Sequence, residues 1–176
     1  MMAEQFEFEL VFGLPEGEHD PFVLSDAVFK AGFADAAIGT GSPRLLAVEL
    51  ESEGDDAEAV MVAAAKAIIR NLPAGTELRE ARPDLVSQGD VAEKLGVSKQ
   101  SLQKREMPLP VMGGLYRIDE VEDLLVRMEK TAKRKPRFDM SNARKWFLAG
   151  RAARRLNARI AMKMLDTRSL EAVEPS

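Results

Sequence analysis

The sequence predicts an α+β protein, and three patterns carry that prediction. Phe6, Phe8, Leu10 and Phe12 alternate with Glu7, Glu9 and Val11, the two-residue period of a strand with one buried face. From there to Arg82 the segments run strand, helix, strand, strand, helix, strand. Beyond Arg82 the periodicity becomes helical and ends in a long amphipathic stretch.

The elements follow in order. Pro15 to His19 reads as a loop. Pro21 to Gly32 reads as a short helix with Phe22, Val23, Ala27, Val28 and Phe29 on its apolar side. Ala34 to Gly39 is a weaker strand, Thr40-Gly41-Ser42-Pro43 a turn, and Arg44 to Ser52 a strand alternating through Leu46, Val48 and Leu50. Acids from Glu53 to Asp56 sit at a helix start, where the macrodipole favours them. Ala57 to Leu72 is the helix, with Met61, Ala64, Ala65, Ile68 and Leu72 on one face, and Thr76 to Arg82 the last strand. This order suits an antiparallel sheet with two helices on one face, the ferredoxin-like βαββαβ arrangement, here residues 1–83. Many unrelated functions use it. Outward Glu7, Glu9, Glu49 and Glu51 would repel phosphates, which argues against RNA binding by this half. Dimerisation through a sheet edge, a protein partner and a small-molecule pocket all stay open for it.

Ser87 to Leu125 carries the functional signal. Ser87 and Asp90 form a capping-box pattern. Val91, Ala92 and Leu95 make the apolar side of a first short helix, Gly96 suits a left-handed turn, and Ser98 suits the cap of a second helix. Leu102 closes the core between the two. Lys99, Gln100, Gln103 and Lys104 are left facing outward as long donors suited to phosphates and base edges. The competing reading is an ordinary helical hairpin with a solvated face. Pro108 and Pro110 fix the chain direction. Gly113-Gly114 predicts a tight hairpin between Val111-Met112 and Leu115-Tyr116. Asp119 and Glu122 form another box before a stripe of Val121, Leu124, Leu125 and Met128. Arg117 suits a phosphate contact or a salt bridge to the next helix.

Residues 85–125 resemble the winged helix-turn-helix of the MerR-like and excisionase (AlpA-like) families. The likeness rests on Val91-Ala92-Glu93-Lys94-Leu95-Gly96-Val97-Ser98, Leu102, Pro108, Pro110, Gly113-Gly114, Tyr116-Arg117 and Asp119-Glu120-Val121-Glu122. It implies sequence-specific DNA binding, with the second helix, 98–105, in the major groove and the Gly-Gly hairpin near the backbone or minor groove. It favours a bacterial or phage source. The short link from Arg105 to Pro108 departs from the family pattern.

Charge divides the chain. Residues 1–80 hold sixteen acids and five bases, residues 81–176 thirteen acids and twenty bases. The basic half reads as a phosphate footprint. Lys133-Arg134-Lys135-Pro136-Arg137, within a linker at 133–140, reads as a phosphate-binding arm. Ser141 is expected to cap a helix from Asn142 to about Leu165 (unit 141–166). Its apolar side is Trp146, Phe147, Gly150, Ala153, Leu156, Ile160 and Met164, and its basic side is Arg144, Lys145, Arg151, Arg154, Arg155, Arg159 and Lys163. Such a helix packs on the body, pairs with a twin, or lies along DNA. The residues from Thr167 read as frayed.

Other classes find little support. The chain has no Cys, which excludes disulfides and thiolate metal sites and fits a reducing cytoplasm. Its start lacks a signal-peptide pattern. The apolar-rich stretch 57–72 is broken by Glu58, Lys66, Arg70 and Asn71 and cannot span a membrane. His19, the sole histidine, lies in an acidic loop, and no catalytic triad or Walker loop appears. No enzyme and no cofactor is expected. The sequence therefore predicts a winged helix-turn-helix domain at 84–132 in a DNA-binding transcriptional regulator, a homodimer on double-stranded DNA, with Ser98, Lys99, Gln100, Gln103, Lys104, Arg105 and Arg117 at the DNA. The alternatives are an antitoxin-like or accessory module whose acidic domain holds a protein partner, and an excisionase-like architectural protein.

Overall fold

The computed structural model describes residues 3–131 and 138–174. The protein is α+β, with a four-stranded antiparallel sheet and, among the described residues, six α-helices. Strands β1 (Glu4–Gly13), β2 (Ala37–Ser42), β3 (Leu45–Gly54) and β4 (Glu77–Arg82) stand in the order β2-β3-β1-β4. Every neighbouring pair is antiparallel. The register sets Phe8 opposite Leu50 and Leu10 opposite Val48. Phe6, Phe8, Leu10, Phe12, Leu46, Val48 and Leu50 therefore share one buried face. Helices α1 (Pro21–Lys30) and α2 (Ala57–Ile69) pack on it through Leu24, Ala27 and Val28, and through Met61, Ala64, Ala65 and Ile68.

Asp20 and Asp56 cap these helices, accepting from the Phe22 amide at 2.9 Å and the Ala59 amide at 3.0 Å. Two expectations change here. Phe22, Val23 and Phe29 do not face the core; Phe22 is 83% exposed. The helix is apolar on most sides, so periodicity alone does not single out its buried stripe. Strand β2 starts and ends later than expected, because pairing continues through Gly39 and Ser42 and the turn falls at Pro43-Arg44.

The second unit follows. Strand β5 (Leu85–Val86) leads into α3 (Gln88–Leu95) and α4 (Lys99–Gln103). Strand β6 (Tyr116–Arg117) leads into α5 (Ile118–Thr131). The predicted two-stranded wing is absent: Val111 and Met112 form no strand. Met112–Gly114 is a 3-10 turn with Gly113 and Gly114 at φ 66° and 74°, closed by the Val111 amide donating to the Leu115 carbonyl at 2.7 Å. Pro108 and Pro110 strip amide donors from the arm leading into Val111, so no ladder continues from the Val111–Leu115 bond. Strand β6 pairs instead with β5, Leu85 opposite Arg117. Asp119 does not box the start of α5; its carboxylate is held by Arg154 at 2.7 Å.

The long helix is α6 (Arg144–Ala161), preceded by a 3-10 turn at Met140–Ala143. Asp139, not Ser141, opens this segment: it accepts from the Ser141 amide at 2.9 Å and hydroxyl at 2.6 Å. Trp146 and Phe147 enter the core of the second unit with Val91, Leu95, Leu102, Ile118, Leu125 and Phe138. One turn on, Ala149, Ala152, Ala153 and Leu156 enter the core of the first. Helix α6 is thus shared by both cores, and at Gly150 it passes so close to α5 that an added Cβ would lie 2.6 Å from Ile118 Cγ2.

The chain after α6 is not frayed. Leu165 bridges Ala172, Leu170 is buried, and the Thr167 carbonyl accepts from the Leu78 amide at 2.8 Å. Asn157 from α6 mimics a neighbouring peptide for β4: its amide oxygen accepts from the Ala81 amide at 2.8 Å, and its amide nitrogen donates to the Ala81 carbonyl at 2.7 Å. Together these contacts cover an edge that would otherwise show bare backbone groups. No helix among the described residues is long and apolar enough to cross a membrane.

Candidate nucleic-acid interface

The site is built by short-range capping. The Ser87 hydroxyl accepts from the Asp90 amide at 3.0 Å while the Asp90 carboxylate accepts from the Ser87 amide at 2.9 Å, a closed capping box on α3. Gly96 ends α3 in the left-handed conformation, φ 70°, and the Val97 amide reaches back to the Ala92 carbonyl at 3.0 Å. Ser98 then caps α4, accepting from the Ser101 amide at 3.0 Å. Buried Leu102 ties α4 to Val91, Ala92 and Leu95. Two helices joined by a glycine turn result, with one side of α4 in solvent.

The seven residues expected at DNA separate into two groups. Lys99, Gln100, Gln103 and Lys104 are exposed, and among the described residues none of their side chains has a hydrogen-bond or ion-pair partner. Ser98 is also exposed, with its hydroxyl engaged as the cap. Arg105 is turned away from this face: its guanidinium stacks on Phe138 at 4.7 Å, with Nε buried and without a hydrogen-bond partner. Arg117 pairs with Glu120 at 3.4 Å, the salt bridge that was its competing reading. The α4 helix covers 99–103, less than the expected 98–105. Lys133 to Arg137, the expected basic arm, lie outside the described residues.

The basic stripe of α6 is not free. Arg144 pairs with Glu4 (2.8 Å), Lys145 with Glu51 (3.1 Å), Arg151 with Asp123 (3.0 Å) and Arg154 with Asp119 (2.7 Å). Arg155 and Arg159 share Glu58 at 3.6 and 2.9 Å. Most of these pairs are exposed enough to stabilise by at most about 1 kcal/mol each, but they occupy the six cations of α6 that contributed to the expected phosphate footprint.

Sequence reasoning missed the role of Lys94. In the last turn of α3 it reaches the outer face of the sheet, bonds Glu7, lies 3.5 Å from Glu49, and sits 5.9 Å above the Trp146 ring. Burial alone would lower its pKa; the hydrogen bond and charge of Glu7, with Glu49, outweigh that and raise it. Glu7 faces Glu51 and Glu9 faces Glu49 across β1 and β3, like charges that need such counter-ions. The alternation of Glu7 and Glu9 was the visible signal; which lysine answered it was not. Beside Lys94 lies a cleft of about 510 Å³ lined by Glu7, Glu9, Glu49, Glu80, Asp84 and Glu93, with Arg82 and Lys94. A polyanion would be repelled there.

His19 donates from Nε2 to the Pro15 carbonyl at 2.8 Å and ties its own loop. Among the described residues no group of three or more His, Cys, Asp or Glu side chains is placed to hold a metal ion. A scan of protein-family models and searches of curated proteins and of solved structures found no match to this chain.

Proposed function

We propose that the chain is a sequence-specific duplex-DNA-binding regulator that docks α4 in the major groove through Lys99, Gln100, Gln103 and Lys104. One observation carries this reading. The six bases inside α6 are ion-paired, whereas α4 with its C-cap Lys104 holds two lysines and two glutamines out in solvent, their side chains without a partner among the described residues. The capped α3–turn–α4 geometry supports a helix-turn-helix of the MerR-like or excisionase-like kind, with the wing reduced to the Met112–Gly114 turn. For the first unit, the order β2-β3-β1-β4 with two helices on one face supports the ferredoxin-like arrangement. With two lysines at the groove-facing surface of α4 and its C-cap, each protomer should show a shallow salt dependence, log K falling by about 2 per decade of salt. A homodimer on repeated half-sites doubles that slope and supplies the affinity.

The test is selection of bound sequences from a random duplex pool at physiological salt. An enriched motif is expected. Equal binding to all duplexes, or none, overturns the reading.

A second reading has its own observation. The outer side of α1 exposes Phe22, Val23 and Phe29, which suits an accessory or antitoxin-like module whose acidic unit holds a protein partner. A stoichiometric partner recovered with the wild type and lost with Phe22→Asp, together with duplex binding that lacks sequence preference, would favour it.

A further inference from the structure

We infer that α4 reads A·T base pairs, with Gln100 and Gln103 on adenine edges and Lys99 and Lys104 on the phosphates of the two groove walls. The inference rests on the duplex-DNA reading above. Successive helical residues are turned by about 100°. Setting Lys99 at zero puts Gln103 at about 40°, Gln100 at about 100° and Lys104 at about 140°. Around the exposed face the order is lysine, glutamine, glutamine, lysine. The opposite side, at about 200–300°, carries Ser101 and Leu102, the half-buried and fully buried members of the helix.

That order has a physical consequence. A helix lying in a groove presents its central side chains to the base edges and its flanking ones to the backbones. The flanks here are ammonium groups, which suit phosphate as point charges. The centre holds two carboxamides, each with one donor and one acceptor. Adenine is the base whose major-groove edge offers the matching acceptor N7 and donor N6 side by side. Guanine offers two acceptors there and would leave the carboxamide oxygen facing a like group. The other cations once counted for this surface do not compete, since Arg105 lies on Phe138 and Arg117 on Glu120. At five residues, α4 is also too short to bring a further turn to the bases.

The experiment uses the full chain and duplexes carrying its selected motif, with affinity read by fluorescence anisotropy. The four side chains are exposed and make no bond to the described residues, so their variants keep the fold. Adenines are expected at the positions whose preference disappears in Gln100→Ala or Gln103→Ala. Replacing such an adenine by 7-deazaadenine, which removes N7 and keeps the base pair, should weaken wild-type binding about ten-fold and leave the matching alanine variant unaffected. Gln103→Glu should move the preference at its position towards cytosine, whose N4 donates to a carboxylate. Lys99→Ala and Lys104→Ala should weaken all duplexes alike and reduce the salt slope by about 1 each. Glutamine-sensitive positions that prove to be G·C, or a motif unchanged in both glutamine variants, overturn the adenine reading while duplex binding stands. A wild type that binds no duplex removes both.

Discussion

Gly96 and Gly89 show how one residue type acts in opposite directions about two helical turns apart. At Gly96 an added Cβ would meet nothing within 4 Å, yet the backbone stands at φ 70°. Its need for glycine is conformational, and the strain of a left-handed alanine is about 1–2 kcal/mol. Gly89 lies inside α3, where a Cβ would make an ordinary 3.5 Å contact with Ser87 Oγ. There glycine only weakens the helix, by up to about 1 kcal/mol. In thermal unfolding Gly96→Ala is expected to melt a few degrees lower than wild type and Gly89→Ala slightly higher. Because Gly96 sets the angle between α3 and α4, the proposed duplex binding requires the first variant to lose affinity as well. Matching shifts of one sign in both variants would place the effect elsewhere than in the turn.

At the scale of elements, local signals were legible and tertiary choices were not. Caps, alternation and turn glycines act within about four residues, so Ser87, Gly96, Ser98 and the inward face of β1 could be read directly from the sequence. The buried stripe of α1 could not, because an almost uniformly apolar helix leaves the choice to the sheet it meets. The wing failed for a related reason: Gly113-Gly114 turns the chain and Val111 bonds Leu115, but a ladder needs amides further along, and β5 offered them where the arm with Pro108 and Pro110 did not. The four outward residues of α4 and its C-cap were legible because the short helix has one buried residue, Leu102; the inward turn of Arg105 depended on Phe138, thirty-three residues away. Helix α5 carries a consequence of its packing that the sequence did not announce. Burial lifts the Glu122 carboxyl above its ordinary 4.5, with Arg151 pulling it down and Asp123 and Asp119 pushing it up. The folded protein thus holds that proton more tightly than the unfolded chain, and the stability contributed by the group falls as pH rises from the unfolded pKa to the folded one. Glu122→Gln is expected to melt above wild type at pH 7 and to converge with it once the pH falls below the ordinary 4.5. A variant less stable than wild type at pH 7 would show that the carboxylate makes a favourable contact instead.

The whole molecule turns the charge split inside out. An acidic half joined to a basic half suggested two surfaces for two partners, yet the halves answer each other: Glu4, Glu51 and Glu58 meet Arg144, Lys145, Arg155 and Arg159, and Glu7 and Glu49 meet Lys94. Sequence segregation of charge is what an intramolecular ion-paired seam leaves behind when its two sides lie in different parts of the chain. Apolar packing crosses the same seam, since α6 gives Trp146 and Phe147 to one core and Ala149, Ala152, Ala153 and Leu156 to the other. Burying Leu156 alone contributes about 1.5–3 kcal/mol, more than any one of the exposed ion pairs. The second unit should therefore depend on the sheet for its stability. A chain cut between Pro83 and Asp84 tests this. The 84–176 fragment alone is expected to lack the near-ultraviolet signal of packed Trp146, because half of α6 would face water. Adding the 1–83 fragment should restore the signal, less readily in high salt, where the ion pairs weaken while the apolar face still holds. A cooperative unfolding transition of 84–176 by itself, at the midpoint of the intact protein, would mean that α6 needs only the core of the second unit, and that the two halves are independent after all.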